Sequence, residues 1–347
     1  MRVLLGIAAS GYSAVITLRN LLYSKKWLKT HQANATVISI GNITAGGTGK
    51  TPLVIWLCNF LGKKNICCAI LTRGYKMEKP ALSDEPAILT ESCPDTKVIV
   101  NPDRVAAAAK AIEESAAKVL IMDDGFQHRR LARDLDIVTI DATGPFGYEK
   151  LLPAGLLREP LDSLKRAHTV VITRCDQVSE VDLTRVEEKL LGINQDLLIT
   201  RSIHAPVCAK SLEHMEISLD ELKGKKIFAF CGIGNPEAFL TTVRSFGVTL
   251  VGSKIYDDHY HYTNDCLTDI QKQACSLNAD LILTTQKDWT KATPLLHQTT
   301  TPFPSDIPSA KKDITFAYLA IELKFLSGED KITQLIEDTL AGKIPGK

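Results

Sequence analysis

The segment Gly41-Asn42-Ile43-Thr44-Ala45-Gly46-Gly47-Thr48-Gly49-Lys50-Thr51-Pro52 constrains this chain most. It follows Thr36-Val37-Ile38-Ser39-Ile40, which reads as a buried strand, and precedes an apolar stretch from Leu53 to Leu61 that reads as a helix. A strand, a Gly-rich turn and Gly-Lys-Thr at a helix N-terminus make a cradle for nucleotide phosphates. The glycines let backbone N–H groups turn toward an anion, and the helix dipole adds to the attraction. Thr44, Gly46, Gly47, Thr48, Gly49, Lys50 and Thr51 are the residues of that cradle. Lys50 would reach the β- and γ-phosphates, and the Thr51 hydroxyl would ligate Mg²⁺. The common pattern has Gly at position 44, where this chain has Thr44. Glycine alone would serve a plain strand-to-helix turn; Gly-Lys-Thr in this context is the specific part.

At 347 residues the chain suits one large or two medium domains. A hydrophobic content of 45% and a net charge of +1 fit a soluble globular protein with no bulk attraction for nucleic acid, so any anion site must be local. The 9 cysteines are odd in number and form no Cys-x-x-Cys pair, which favours reduced, buried thiols over a disulfide framework or a zinc site. Nucleotide binding likewise requires access to the cytosol.

Val3 to Leu18 carries no charge before Arg19 interrupts it. Gly6, Ser10, Ser13, Thr17, Asn20 and Ser24 form a small, polar stripe at helical spacing; Leu4, Ala8, Tyr12, Val15, Leu18 and Leu22 occupy another face, and Lys25, Lys26 and Lys29 follow. A spanning helix needs about 20 apolar residues, and Arg19 makes this one short. A signal peptide would part a nucleotide enzyme from its nucleotide. An interfacial helix on the cytoplasmic side of a membrane fits best, against the alternative of a helix packed on the protein's own surface.

Beyond residue 35, short continuous apolar runs alternate with helical stretches. The runs are Ile66–Leu71, Lys97–Val100, Val119–Met122, Ile137–Ile140 and Thr169–Thr173; Arg104–Ala116 and Val181–Leu190 are helical. Continuous rather than alternating hydrophobic strands imply a parallel sheet covered on both faces. Thr200 to Ser218, with Pro206, reads as irregular, and Thr299 to Pro308 as a loop. A second α/β series starts with Ile227–Cys231 and ends with a long strand over Ile314–Leu323. The expected layout is an N-terminal helix over 1–30, a phosphate-loop domain over 31–224 and a smaller α/β domain over 225–347.

Asp123-Asp124 leaves the strand Lys118–Met122, where a phosphate-loop protein places its Mg²⁺-side carboxylate, although Asp-Asp-Gly is also good turn chemistry. Asp84-Glu85-Pro86 pairs two acids: one could orient a hydroxyl or take its proton, the other hold metal. Arg73-Gly74-Tyr75 follows a strand end, and its arginine could clamp phosphate. Asp257-Asp258-His259-Tyr260-His261-Tyr262 offers a His–carboxylate contact, and spacing does not decide between the two histidines. Lys287-Asp288 is a further strand-end candidate. Leu151 to Pro160 is an apolar loop ending on Arg158-Glu159, which suits either a packed connection or a substrate with greasy and anionic parts.

Taken together, these motifs resemble the tetraacyldisaccharide 4′-kinase family, the inner-membrane kinase of lipid A biosynthesis. The resemblance runs through Gly41–Pro52, Arg73-Gly74-Tyr75, Asp84-Glu85-Pro86, Asp123–His128, Leu152-Pro153-Ala154-Gly155 with Leu157-Arg158-Glu159, Gly232–Pro236, Asp258-His259 and Thr285–Asp288. The family's phosphate loop is similar at position 44. The resemblance implies a phosphate-loop fold of two α/β/α domains with a membrane-associated helix. It implies ATP and Mg²⁺ as cofactors and transfer of the γ-phosphate to the 4′-hydroxyl of tetraacyldisaccharide 1-phosphate, giving lipid IVA. It maps the catalytic Asp onto Asp84 and its partner onto His259. Metal ligation falls to Thr51, Glu85, Asp123 and Asp124, and the substrate's sugar and 1-phosphate fall to Arg73, Tyr75, Arg104, Gln127, His128 and Arg158.

Two other readings compete. Thr173-Arg174-Cys175-Asp176 loosely imitates a guanine-reading loop, with Arg in place of Lys, which would suit a guanine-nucleotide switch or assembly factor. A soluble kinase for a small metabolite is the third, and the N-terminal helix argues against it.

Overall fold

The computed structural model describes residues 2–74, 84–213, 215–258, 260–298 and 314–342, the side chains of residues 2–4, 84 and 298 excepted. The elements are α1 (Arg2–Ser24), β1 (Thr36–Asn42), α2 (Lys50–Lys63), β2 (Cys68–Thr72), α3 (Asp84–Ser92), β3 (Lys97–Val100), α4 (Arg104–Ser115), β4 (Val119–Asp123), β5 (Leu135–Asp141), β6 (Thr169–Thr173), α5 (Glu180–Ile193) and β7 (Leu198–Ser211). They continue with β8 (Glu216–Ser218), α6 (Leu219–Leu222), β9 (Lys226–Cys231), α7 (Pro236–Arg244), β10 (Thr249–Ile255), α8 (Asn264–Ser276), β11 (Leu281–Thr285), α9 (Gln286–Gln298), β12 (Thr315–Ser327) and α10 (Glu329–Leu340).

The chain forms two compact units, one of residues 1–204 with 323–347 and one of residues 205–322. In the first unit the strands run in the order β3-β2-β4-β1-β5-β6-β7, and every described pairing is parallel. β2, β4 and β6 are buried along their whole length and β1 over all but its first residue. That is the condition continuous apolar strands create, because each face must be covered by helices. α2 and α10 cover one face through Leu53, Leu57, Leu61, Ile332 and Ile336. α4 lies on Ala69, Leu71 and Leu120 through Ala107, Ala108 and Ala111. Each fully buried Leu or Ile there contributes roughly 1.5–3 kcal/mol. In the second unit β10, β9, β11 and β12 form another parallel series, and β8 pairs antiparallel with β7.

The unit limits differ from the expected boundary at 225, because the chain passes between units inside two strands, β7 and β12. α10 consequently belongs with the phosphate-loop unit. The stretch read as irregular, Thr200 to Ser218, is largely strand β7. Over its first half the buried positions are Thr200 and Ser202, bonded to the carbonyls of Val170 (3.4 Å) and Ile172 (3.0 Å). The alternation is therefore written in hydroxyls and escapes a hydrophobic pattern. The loop expected over Thr299–Pro308 lies outside the described residues.

Candidate active site

The Gly-rich loop joins the carboxyl end of β1, between neighbours β4 and β5, to the N-terminus of α2. Gly49 caps α2 in the left-handed region, at φ 82° and ψ 25°, without a side-chain bond to the first turn. By contrast α4, α5, α7 and α8 are capped by Asp103, Ser179, Asn235 and Thr263. The first N–H groups of α2 are thus left for an anion.

Polar side chains on neighbouring strands hold this loop from below. Asn42 Nδ2 donates to the Thr44 carbonyl (2.8 Å) and to Thr48 Oγ1 (3.0 Å). Thr48 and Thr139 share a hydroxyl bond of 2.7 Å, Thr173 Oγ1 donates to the Thr48 carbonyl at 3.0 Å, and Arg174 Nη1 donates to the Gly47 carbonyl at 3.0 Å. Arg174 also forms an ion pair with Asp141. Of these braces, Asn42, Thr139, Thr173 and Arg174 were not foreseen in that role. The His204 ring fills the space a Cβ on Gly49 would take, and its buried Nε2 makes no hydrogen bond. Burial, with Arg174 nearby, lowers the His204 pKa to about 3, so the ring is neutral.

Asp123 ends β4 and Asp124 follows at φ 51°. The turn nests against β1 because Gly41 has no Cβ: one built there would stand 2.6 Å from both Cβ and N of Phe126. Asp123 is almost fully buried and accepts from Thr72 Oγ1 at 3.3 Å. Burial, then the Glu85 carboxylate, raises its pKa well above the usual range. Asp124 has the opposite fate. Burial pushes its pKa up, but Lys50 and Arg158 outweigh burial and hold it near 2. Lys50 Nζ stands 3.3 Å from Asp124 Oδ1, and Arg158 Nη1 donates to both carboxylate oxygens at 3.0 and 2.8 Å.

Arg158 arrives on a loop that pairs with the phosphate loop itself. Ala45 N–H donates to the Leu156 carbonyl and Arg158 N–H to the Ile43 carbonyl, both at 2.7 Å. The apolar Leu151–Pro160 segment is therefore a packed connection that also carries the arginine bound to Asp124.

The remaining expected residues divide. Arg73 is exposed past β2, and its charge helps lower the pKa of both Arg104 and His128. Burial, with Arg104 and Arg73, brings His128 to about 4. Arg104 is buried, donating to the carbonyls of Asn101 (2.7 Å) and Asp123 (3.1 Å). It is placed to hold the end of β4. Gln127 Nε2 donates to the Asn42 carbonyl at 2.9 Å. Asp84 opens α3, with Glu85 beside it, but the Asp84 side chain, Tyr75 and His259 lie outside the described residues. In the second unit Asp288 is fully buried, accepting from Gly232 N–H (2.9 Å) and Thr285 Oγ1 (2.7 Å), while Lys287 pairs with Asp258 at 3.0 Å. The Thr285 contact closes a local turn, while the other two join segments 56 and 29 residues apart within this unit.

Among the described residues no group of three or more His, Cys, Asp or Glu side chains is arranged to hold a metal ion alone. The oxygens of Thr51, Glu85 and Asp123 still suit Mg²⁺, which keeps several waters and uses one or two carboxylates together with substrate phosphates.

Residues 1–341 match the family described as Tetraacyldisaccharide-1-P 4′-kinase, LpxK. The chain belongs to that family. A tetraacyldisaccharide 4′-kinase of Halothermothrix orenii is 38% identical over 316 residues, covering 83% of this chain and 82% of the relative. One from Chlorobaculum parvum is 32% identical over 364 residues, covering 98% and 96%. A crystal structure of LpxK from Aquifex aeolicus in complex with ATP superposes with a TM-score of 0.73 at 26% identity, covering 98% of this chain and 99% of that one. Membership in this kinase family disfavours the guanine-nucleotide reading. The side chain that departed from the guanine-reading pattern, Arg174, is engaged with Gly47 and Asp141.

Proposed function

We propose that the chain transfers the γ-phosphoryl group of ATP to the 4′-hydroxyl of tetraacyldisaccharide 1-phosphate, giving lipid IVA, and that it does so at the phosphate loop described above. The observation that carries the site assignment is the line of alternating charge Lys50–Asp124–Arg158 at the carboxyl ends of β1 and β4. A phosphoryl group in transfer spreads charge over its oxygens, so fixed positive charge and positioning are most of what a protein must supply. Backbone N–H groups of the loop and Lys50 meet the phosphates. Asp124, held ionised by its two cations, keeps Lys50 aimed.

Thr51, Asp123 and Glu85 would hold Mg²⁺, which neutralises charge on the phosphate oxygens when bound. Asp84, at the start of α3, orients the 4′-hydroxyl and takes its proton. Arg73, His128 and Arg158 bind the sugar and 1-phosphate; Gln127 and Arg104 serve from behind. His128, neutral at physiological pH, donates or accepts a hydrogen bond there.

The lipid is met at the cytoplasmic face of the inner membrane, with α1 lying on the surface. Leu5, Ile7, Val15, Leu18 and Leu21 are exposed along α1, and exposed Trp27 and Leu28 follow among Lys25, Lys26 and Lys29. Among the described residues no helix is long and apolar enough to cross a membrane. An apolar face flanked by lysines fits interfacial docking on anionic headgroups.

Asp84→Ala tests the catalytic assignment. It should abolish transfer while ATP affinity stays near wild type. Equal loss of both would assign Asp84 to metal or structure instead.

A further inference from the structure

We infer that α1 is part of the scaffold of the phosphate site, with Tyr12 as a positioning residue that fixes Arg158 against Asp124; this rests on reading Arg158 and Asp124 as site residues. Tyr12, Arg19, Asn20 and Ser24 recur at i, i+7, i+8 and i+12, one face of the helix. The exposed apolar residues Ile7, Val15, Leu18 and Leu21 lie off that face by the same helical spacing. Sequence periodicity set Tyr12 among the apolar positions, yet its hydroxyl donates to the Arg158 carbonyl at 2.9 Å. Arg158 is the residue whose N–H is bonded to Ile43 and whose guanidinium holds Asp124, which in turn holds Lys50.

The grip extends to both loops beside Asp124. Asn20 Nδ2 donates to Glu159 Oε2 at 3.0 Å, and that fully buried carboxylate also receives Arg166 Nη2 at 2.8 Å. Arg19 Nη2 donates to the Gln127 carbonyl at 2.6 Å, and Arg129 Nη1 donates to the Asn20 carbonyl at 2.8 Å. The guanidinium groups of Arg19 and Arg129 lie over the Tyr23 ring, 5.4 and 5.3 Å from its centre. Burial, and then Glu159, raises the Tyr12 pKa, so its hydroxyl stays a donor at any working pH.

A helix tied at this many points transmits its placement to the site. Tyr12, Arg158, Asp124 and Lys50 form one contiguous chain of polar contacts, so α1 sets where the lysine stands as well as where the protein docks. An anchor alone would need neither the hydroxyl nor the amide on its inner face.

The test is Tyr12→Phe in the full chain, which removes one hydroxyl and keeps the ring, assayed with lipid substrate in detergent so that vesicle docking plays no part. Losing one hydrogen bond to a positioned site should lower kcat about three- to tenfold, with KM for ATP and for lipid near wild type. Asn20→Ala should move kcat the same way. In an Arg158→Ala background Tyr12→Phe should cause no further loss, because the hydroxyl acts through Arg158. Wild-type kcat in both single variants, or the full loss repeated in the Arg158→Ala background, would overturn the inference. A wild-type chain that transfers no phosphate would refute the kinase reading instead.

Discussion

Gly49→Ala tests the phosphate loop where its geometry is least forgiving. Gly49 lies at φ 82° and ψ 25°, a region in which a Cβ costs about 1–2 kcal/mol. The new methyl would overlap Nε2 of His204 and stand 2.9 Å from its Cε1 and 3.2 Å from Thr173 Cγ2. Displacing a buried ring to relieve such overlap costs roughly 1–3 kcal/mol. The two add to about 2–5 kcal/mol, which spent on loop geometry would weaken ATP binding by roughly thirtyfold to several thousandfold. The assay is calorimetric titration with ATP beside thermal melting, on Gly49→Ala, His204→Ala and the double variant. His204→Ala empties the contested space. The double variant should recover the steric part and retain a backbone cost of about 1–2 kcal/mol. Wild-type ATP affinity and stability in Gly49→Ala would contradict this role for Gly49, as would a double variant no better than the single one.

Gly41→Ala sets a methyl against Phe126 Cβ and N, and should lower stability by roughly 1–3 kcal/mol in denaturant melts by prising the Asp-Asp-Gly turn off β1. His128 and His204 have folded pKa values lowered to about 4 and about 3 from 6.5. The unfolded chain therefore takes up protons there first: their contribution is complete above about pH 6.5 and is lost as pH falls toward 4, and a His128→Gln/His204→Gln chain should show a flatter stability profile over that window. Val15→Glu with Leu18→Glu should weaken binding to anionic vesicles and raise KM for lipid more than KM for ATP; unchanged vesicle sedimentation would remove the docking role of α1.

Much of the phosphate-loop unit was legible because its signals are local. Continuous runs such as Thr169–Thr173 and Lys97–Val100 are strands with those very limits, and Gly-Lys-Thr announces its loop without help from the rest of the chain. The braces beneath the loop were not legible as such. Thr139, Thr173 and Arg174 reach Thr48 and Gly47 across 91, 125 and 127 residues, and a single hydroxyl or guanidinium inside a strand or turn carries no sign of its distant partner. β7 was missed for a related reason, the buried positions of its first half being Thr200 and Ser202. The unit limits were missed because β7 and β12 run through them without a break in composition. On α1 the helix and its exposed apolar face were readable, but Tyr12 and Asn20 take their meaning from Arg158 and Glu159.

On the proposed function, Lys50, at the head of α2, serves ATP-dependent phosphorylation of a lipid disaccharide. Incubating the purified chain with γ-labelled ATP, Mg²⁺ and tetraacyldisaccharide 1-phosphate in detergent tests it directly. Label should appear in the lipid and disappear in Lys50→Ala. Unlabelled lipid alongside intact nucleotide hydrolysis that prefers GTP would contradict it.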